Sequence, residues 1–168
     1  MPTNPAIFLD FDGVLHPGGA IIVRDGEMPH PDFPEYNYQL FSCVAALTKT
    51  LARYAKANVQ IVVSSDWQYR PQILASALRH MPEEISKRVV GCTHLDVDML
   101  PLEFRKLPRG EQVRLSANAR GIKQYIALDD RSDGFERHMK RHLLQTHPYA
   151  GFCPITARRL RDVLEAWE

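Results

Sequence analysis

Residues 6–16, AIFLDFDGVLH, place two aspartates directly after a short apolar run. The run at 7–9 shows no alternation with polar residues, which is typical of a strand buried on both faces of a parallel sheet. Because ligands bind outside the carboxyl ends of such strands, Asp10 and Asp12 are predicted to stand at the mouth of a site. Gly13 follows them and would let the backbone turn close to the ligand.

The two carboxylates have more than one interpretation. Charges this close are unfavourable unless a cation or a proton lies between them, so the pair would form a metal site, an acid/base pair or a nucleophile beside an acid. Alternatively, the stretch Asp-x-Asp-Gly only caps a turn, as Asp and Gly often do. The rest of the chain has to discriminate between these interpretations.

Length, charge and cysteine content narrow the class of protein. The 168 residues suit a single domain over 1–168, with a flap insert at about 17–36 that is rich in Pro and Gly. A formal net charge of +1 argues against binding nucleic acid over the whole surface, although it allows a local basic patch. The three cysteines show neither zinc nor disulfide spacing, which favours a reducing compartment.

The first residues do not show the pattern of an export leader, and no stretch reaches the roughly 20 apolar residues that cross a bilayer, so neither export nor membrane insertion is expected. We therefore expect a cytoplasmic protein with no membrane contact.

Strands and helices are predicted to alternate. Besides the opening run, apolar runs predict strands at 59–63, 89–91, 125–128 and 142–146. Helical spacing or an initiating proline predicts helices at 37–56, from Pro71, from Pro82, at 111–118 and at 156–167. Residues 92–108 show no clear period and are predicted to form a loop. The alternation indicates an α/β fold with a parallel sheet.

Three of these strands end in polar groups. Asp10 and Asp12 follow the first strand, Ser64 follows the second, and Asp129-Asp130 follows the strand at 125–128. Such ends converge on one crevice in a parallel sheet. Three successive strand ends with hydroxyl or carboxylate groups are hard to explain by turn caps alone, so they favour a functional site.

The order of these motifs resembles the haloacid dehalogenase-like (HAD) phosphohydrolases over nearly the whole chain. FLDFDGVLH is similar to the first motif of that family, VQIVVSS to the second and YIALDD to the fourth. The resemblance implies a Rossmann-like, three-layer αβα sandwich with a mostly parallel central sheet. The intervals between motifs leave room for a small flap after the first strand and for no full cap domain. With SSDW and LDDRSDGF, the chain is most similar to the small HAD domains associated with RNA-repair proteins.

The resemblance implies an Mg²⁺-dependent phosphatase that acts through an aspartyl-phosphate. Asp10 would be the nucleophile, and Asp12 would act first as general acid and then as general base. A carboxylate attacks an anionic phosphate poorly, so Mg²⁺ would shield the two charges from each other. Asp10, the backbone carbonyl of Asp12 and Asp130 would hold the ion, with Asp129 as a further ligand or as an acceptor behind the ligands.

Further residues would complete the phosphate site. Ser64 would donate a hydrogen bond to a phosphoryl oxygen, and Ser65 is its rival because both follow the strand. A cation is expected at the start of the helix that precedes the 125–128 strand. Arg109 is the first choice because a guanidinium at a helix start can bind phosphate with two hydrogen bonds, and Lys106 is the second.

Three side chains near these motifs keep two interpretations each. His16 either lines the site and binds substrate, or packs as a turn histidine under the flap. Trp67 is either a stacking platform or, as we favour, a core residue. Asp133 either supports the fourth motif or caps the following turn.

Three functions are compatible with the sequence. The first is a phosphatase that acts on a small phosphorylated molecule. The second is a phosphatase for nucleic-acid ends, which predicts a basic groove beside Asp10. The third is a non-catalytic binding or regulatory protein, which predicts that a catalytic residue has been lost. Because Asp10, Asp12, Ser64 and Asp129-Asp130 are all present, we expect an enzyme.

Overall fold

The structure, a computed structural model, describes residues 4–18, 21–22, 30–31 and 39–168. For residues 21–22, 30–31, 137 and 138 it describes only the backbone. The strands of this part of the chain are β1 (Ala6–Leu9), β2 (Ile21–Ile22), β3 (His30–Pro31), β4 (Gln60–Val63), β5 (Val89–Cys92), β6 (Tyr125–Asp129) and β7 (Leu143–Gln145).

A five-stranded parallel sheet forms the centre of the described residues, in the order β5-β4-β1-β6-β7. β1 is the middle strand, and its residues 6–9 are at most 1% exposed because both faces are covered. Burial on both faces of the sheet therefore explains the continuous apolar runs of β1, β4 and β6, as the sequence suggested. The prediction of a mostly parallel central sheet is confirmed.

Helices cover both faces of the sheet. They are α1 (Val44–Ala52), α2 (Pro71–His80), α3 (Glu83–Ser86), α4 (Pro101–Lys106), α5 (Arg109–Ala119) and α6 (Pro154–Glu165), with short 3-10 helices at Ala55–Ala57, Asp66–Tyr69, Thr93–Asp96 and Arg137–His142. Ile7 and Leu9 pack into a core shared with α1, α2, α3 and α6, whereas Phe8 packs on the other face against α5. These two cores make the predicted three-layer αβα sandwich.

Residues 92–108 are not the loop that was predicted. They contain the 3-10 helix Thr93–Asp96 and helix α4. Pro101 supplies the first helical position of α4, and Phe104 is its one buried side chain. A helix this short, with a single residue facing the core, has no repeating apolar pattern that a sequence could reveal.

The helix predicted at 37–56 is shorter in the structure. Residues 37 and 38 lie outside the described part, and α1 begins at Val44 and ends at Ala52. The 3-10 helix Ala55–Ala57 follows, and Asn58 closes it with a φ of 46°, in the left-handed region. The C-terminal helix likewise differs from 156–167, since α6 starts two residues earlier at Pro154.

The predicted flap falls largely outside the described residues. Within it, β2 and β3 pair antiparallel, with Ile21 opposite Pro31 and Ile22 opposite His30. The predicted Asp25-Gly26 turn lies outside the described part. Among the described helices, none has the length and apolar character needed to cross a bilayer.

Candidate active site

The ends of β1, β4 and β6 meet at one edge of the sheet. The backbone N–H of Asp10 donates to the Leu128 carbonyl at 3.0 Å, and that of Ser64 donates to the Leu9 carbonyl at 2.9 Å. This register brings the three predicted motifs side by side. A pocket opens there, and its lining includes the carboxylates of Asp10, Asp12, Asp66 and Asp130 and the guanidinium groups of Arg109 and Arg131.

Asp10, Asp129 and Asp130 form an acidic cluster, of which Asp10 and Asp130 line this pocket. One carboxylate oxygen from each lies within 4.8 Å of the other two. Asp10 and Asp129 are buried, and Asp130 is partly exposed. Gly13 makes room for Asp130, because a Cβ at Gly13 would lie 2.5 Å from Asp130 Oδ2. The glycine of the first motif therefore has a steric reason as well as a φ of +71°.

Arg109 is the cation that faces this cluster. Its side chain is 2% exposed, and its Nη2 lies 3.7 Å from Asp10 Oδ2 while its Nε lies 3.1 Å from Asp129 Oδ2. Asp66 Oδ1 is 3.6 Å from the same Nη2. A buried guanidinium needs such carboxylates nearby, since an unpaired buried charge is strongly unfavourable.

Burial and the neighbouring carboxylates raise the pKa values of all three acids of the cluster. Burial raises the pKa of Asp10 to about 6, against the opposing effect of Arg109, and the Asp12 carboxylate raises it further. Burial also raises the pKa of Asp129 well above its usual range, and Asp10 adds to that rise. The pKa of Asp130 is raised, again chiefly by burial. One arginine thus compensates the cluster incompletely.

These acids fit a hard divalent cation such as Mg²⁺. Carboxylate oxygens are the ligands that Mg²⁺ prefers in proteins. Asp129 Oδ2 is buried and makes no hydrogen bond to any group that the structure describes, even though Arg109 Nε is close. A bound cation would stabilise the ionised forms that burial disfavours. Asp10 and Asp130 with Asp129 are thus the side chains that would hold it, and Asp12 was predicted to add its backbone carbonyl.

The loop after β6 holds the start of α5, and with it Arg109, in place. The Asp133 carboxylate accepts a hydrogen bond from the Arg109 backbone N–H at 2.9 Å, and the Asp133 carbonyl accepts one from Gly110 N–H at 2.9 Å. Asp133 also binds the Arg131 guanidinium through both of its oxygens. Of its two interpretations, support of the fourth motif fits these contacts, because Asp133 ties the loop to the start of α5.

Asp12 is held by two nitrogen groups. His16 Nε2 lies 3.0 Å from Asp12 Oδ1, and Trp67 Nε1–H donates to Asp12 Oδ2 at 2.9 Å. Trp67 is 7% exposed, as expected for a core residue, but its polar edge serves the site. Its part in holding Asp12 was missed, because 55 residues separate the two and no local pattern connects them. His16 is 0% exposed, so it touches Asp12 and does not line the pocket as a substrate contact would.

The two serines after β4 have different surroundings. Ser64 is fully buried, its hydroxyl has no hydrogen-bond partner among the described residues, and its bond to a phosphoryl oxygen stays a prediction. Ser65 is also buried, its hydroxyl accepts a hydrogen bond from the Trp67 N–H at 3.5 Å, and its interaction with the Asp10 carboxylate lowers the pKa of Asp10. Ser65 therefore interacts with the predicted nucleophile in this structure, and its contact with substrate stays a prediction.

Lys106, the second choice for the cation, does not reach the site. Its ammonium pairs with Glu103 at 2.9 Å, and its side chain is 72% exposed. The structure brings Arg109 to the cluster instead, because Arg109 begins α5 whereas Lys106 ends α4.

Thr146 is a further residue that sequence analysis missed: its N–H donates to the Asp129 carbonyl at 3.0 Å and its hydroxyl donates to the Gly13 carbonyl at 2.6 Å. It ties the first motif to the fourth.

A comparison with protein families agrees with this geometry. Residues 6–156 match the family described as the HAD domain in Swiss Army Knife RNA repair proteins. The chain belongs to this family. The match covers β1, the ends of β4 and β6 and the start of α6, so every predicted site residue lies inside this HAD domain. A search of the curated proteins found no match.

A HAD domain belongs to a hydrolase superfamily, and the matched description associates this one with RNA repair proteins. The predicted family resemblance and the predicted fold are both confirmed.

Gln68, which follows Trp67, is buried and accepts hydrogen bonds from the Thr93 hydroxyl at 2.9 Å and from His94 N–H at 3.0 Å. It anchors the segment beyond β5 to the second motif.

Proposed function

We propose that this HAD domain is an Mg²⁺-dependent phosphomonoester phosphatase that acts through an aspartyl-phosphate on Asp10. The observation that carries the proposal is the acidic cluster of Asp10, Asp129 and Asp130 with Arg109 beside it, next to a pocket that Asp10, Asp130 and Arg109 line. A site for a phosphate monoester needs a nucleophile, neutralisation of charge and a proton for the leaving group. Residues of this pocket offer all three.

In the first step, an Asp10 carboxylate oxygen attacks phosphorus while the bond from phosphorus to the leaving oxygen breaks. Mg²⁺, when bound, supplies positive charge that reduces the repulsion between the Asp10 carboxylate and the phosphate. Arg109 lies 3.7 Å from Asp10 and adds a fixed positive charge next to the attacked phosphoryl group. Asp12 donates its proton to the leaving oxygen.

In the second step, the roles of the two aspartates change. The Asp12 carboxylate takes a proton from a water molecule, whose oxygen attacks phosphorus, and the bond from phosphorus to Asp10 breaks. Inorganic phosphate leaves, and Asp10 returns as a carboxylate. Asp12 lines the pocket and is 36% exposed, so both the leaving oxygen and water can reach it.

The test is release of phosphate from p-nitrophenyl phosphate by the purified chain, with Mg²⁺ and with chelator. We expect activity only with Mg²⁺ and no activity in Asp10→Asn. Glu165→Gln, on the exposed part of α6, is the control and should keep full activity. Activity that survives chelation or the Asp10→Asn change would contradict the proposed mechanism.

A phosphatase for nucleic-acid ends is the second candidate, and the family description is what supports it. The basic groove expected beside Asp10 is not found among the described lining residues, where four carboxylates outnumber two guanidiniums. The candidates separate when kcat/KM for 5′- and 3′-phosphorylated oligonucleotides is compared with that for the matching nucleoside monophosphates. A preference for oligonucleotides of about tenfold or more, or 1.4 kcal/mol, would favour the second candidate.

A further inference from the structure

We propose that Trp67 and His16 are positioning residues that aim the Asp12 carboxyl at the leaving group. This inference rests on the proposed function, because it concerns the step in which Asp12 donates a proton. It assigns a role in the reaction to the indole N–H of a side chain that packs as core. It also gives His16 a place behind the general acid.

The two hydrogen bonds fix the plane of the Asp12 carboxyl group. Trp67 Nε1 donates to Oδ2 at 2.9 Å, and His16 Nε2 lies 3.0 Å from Oδ1, so each oxygen has one nitrogen contact. A carboxylate oxygen offers two lone pairs. One bond on each oxygen therefore leaves one further lone pair on each, where the transferred proton can sit.

An aromatic cluster prevents either nitrogen from moving. The Trp67 ring contacts Phe11, Phe41 and His16, with centroid separations of 5.5, 5.7 and 5.9 Å. His16 also packs edge-on against Phe41 at 5.4 Å. Phe11 and His16 are fully buried. Because packed rings have few alternative rotamers, the two nitrogen groups are preorganised before substrate binds.

The placement of the cluster follows from the chain. Phe11 separates Asp10 from Asp12 and points into the core, so one buried ring anchors the backbone between the nucleophile and the general acid. Trp67 comes from the 3-10 helix after β4, and the Ser65 hydroxyl accepts a hydrogen bond from its backbone N–H at 3.5 Å. The first two motifs are thereby linked through Asp12.

Correct aim matters most when the leaving group is poor. When the substrate is an aryl phosphate of an acidic phenol, the phenol can leave as phenolate without a proton. An alkyl-like leaving group needs a proton from Asp12. Loss of the Trp67 hydrogen bond should therefore slow substrates unequally. A purely structural role for Trp67 would slow all of them by one common factor.

The test is the dependence of kcat/KM on the pKa of the leaving phenol, measured for the wild type and for Trp67→Phe and His16→Phe. Both variants keep a ring and lose a donor. We expect kcat/KM for the poorest leaving group to fall about 10- to 100-fold, as misalignment typically causes, with little change for the best one. His16→Gln, which keeps a donor, should retain the wild-type dependence on leaving group.

Phe41→Leu is the matched control, because it disturbs the aromatic cluster without removing a hydrogen bond to Asp12. We expect it to lower kcat/KM equally for every substrate, if at all. Melting temperatures show which variants are folded. A wild-type dependence on leaving group in Trp67→Phe would overturn the inference while the proposed function stands. A wild type without Asp10-dependent activity would overturn both.

A second measurement does not depend on activity. The chain contains two tryptophans, Trp67 and Trp167, so its indole N–H groups give two NMR signals. We expect Asp12→Asn to shift the Trp67 signal, because an amide is a weaker acceptor than a carboxylate. The Trp167 signal should stay in place. Two unshifted signals would show that Asp12 does not accept from Trp67 in solution.

Discussion

Arg109 is among the largest fully buried side chains of the described residues, and it is also the cation of the site. It lies between the Asp10 and Asp129 carboxylates at the start of α5. Burial alone would lower the pKa of the guanidinium, but the carboxylates around it raise that pKa, so it stays charged. The protein therefore keeps one permanent positive charge beside the atom that is proposed to attack phosphorus.

Replacement of Arg109 should lower activity more than replacement of any neighbouring cation does. We expect Arg109→Met to lower kcat/KM for aryl phosphates about 100-fold or more, since one preorganised electrostatic contact is typically worth that much. Arg109→Lys keeps the charge but loses the planar fork, so its kcat/KM should lie between that of the wild type and that of Arg109→Met. Lys106→Met tests the rival cation. If Lys106→Met, and not Arg109→Met, reduced activity, the structural placement of Arg109 would not be the functional one.

Asp10 gives the metal-free protein a distinct pH dependence. Its pKa rises from 3.8 to about 6 on folding because the group is buried. Between these values the folded chain retains a proton that the unfolded chain has released, so the free energy of unfolding falls as the pH rises. The loss from this group is about 3 kcal/mol and is complete above the folded pKa. The raised pKa of Asp129 acts in the same direction.

Urea unfolding of the chain in chelator, at several pH values from 4 to 7, measures this effect. We expect stability to decrease over that range, and Asp10→Asn to flatten the decrease because the amide does not titrate. Addition of Mg²⁺ should reduce the loss at high pH, since the ion stabilises the ionised carboxylates. A metal-free protein with constant stability over this range would contradict the raised pKa.

The site depends on a close contact between α5 and the loop after β6. A Cβ on Gly110 would lie 2.1 Å from the Gly134 carbonyl oxygen, so only glycine fits. This contact lets Asp133 accept from the backbone N–H of Arg109. The position of the buried guanidinium is therefore set by backbone packing as well as by its ion pairs.

Gly110→Ala should separate α5 from that loop. We expect the free energy of unfolding to fall by about 2 kcal/mol or more, the range of changes that force backbone apart. Activity should fall as well, because Arg109 moves with the helix start. Asn118→Ala, at the exposed end of the same helix, is the control and should change stability by less than about 0.5 kcal/mol in urea unfolding. Equal stability of the two variants would refute the steric argument.

Elements with continuous apolar runs could be predicted from sequence, and those without them could not. β1, β4 and β6 are buried on both faces, so their composition alone indicates them, and the polar residues at their ends indicate the site. Helix α4 has one buried side chain, Phe104, and leaves no periodic signal. Its existence depends on packing that only the folded chain contains.

The site shows the same division. The identities of Asp10 and Asp129 follow from local motifs, and the choice of Arg109 over Lys106 follows from its place at a helix start. The bond from Trp67 to Asp12 and the bonds of Thr146 to the first and fourth motifs join parts that are distant in sequence. No pattern of residue types along the chain encodes such contacts, because they arise when strands settle into register.

The acidic cluster exists only in the folded chain. Asp10 follows β1, and the Asp129-Asp130 pair is more than a hundred residues away along the chain at the end of β6. Unfolding separates these carboxylates, so a divalent cation that bridges them would bind the native state selectively. Ligand binding of that kind stabilises a protein by an amount that its concentration sets.

Mg²⁺ at about a hundred times its dissociation constant should raise the unfolding free energy by about 2.7 kcal/mol. For a chain of this size that corresponds to a rise in melting temperature of roughly 5–10 °C, measured by calorimetry near pH 7.5. Asp130→Asn should abolish the rise, because Asp130 supplies one of the three carboxylates within 4.8 Å of each other. Asp66→Asn is the matched control: Asp66 lines the same pocket but lies outside that cluster, so its variant should keep the rise. An equal rise in Asp130→Asn and the wild type would mean that Mg²⁺ binds elsewhere, and the cluster would then lose its role as the metal site.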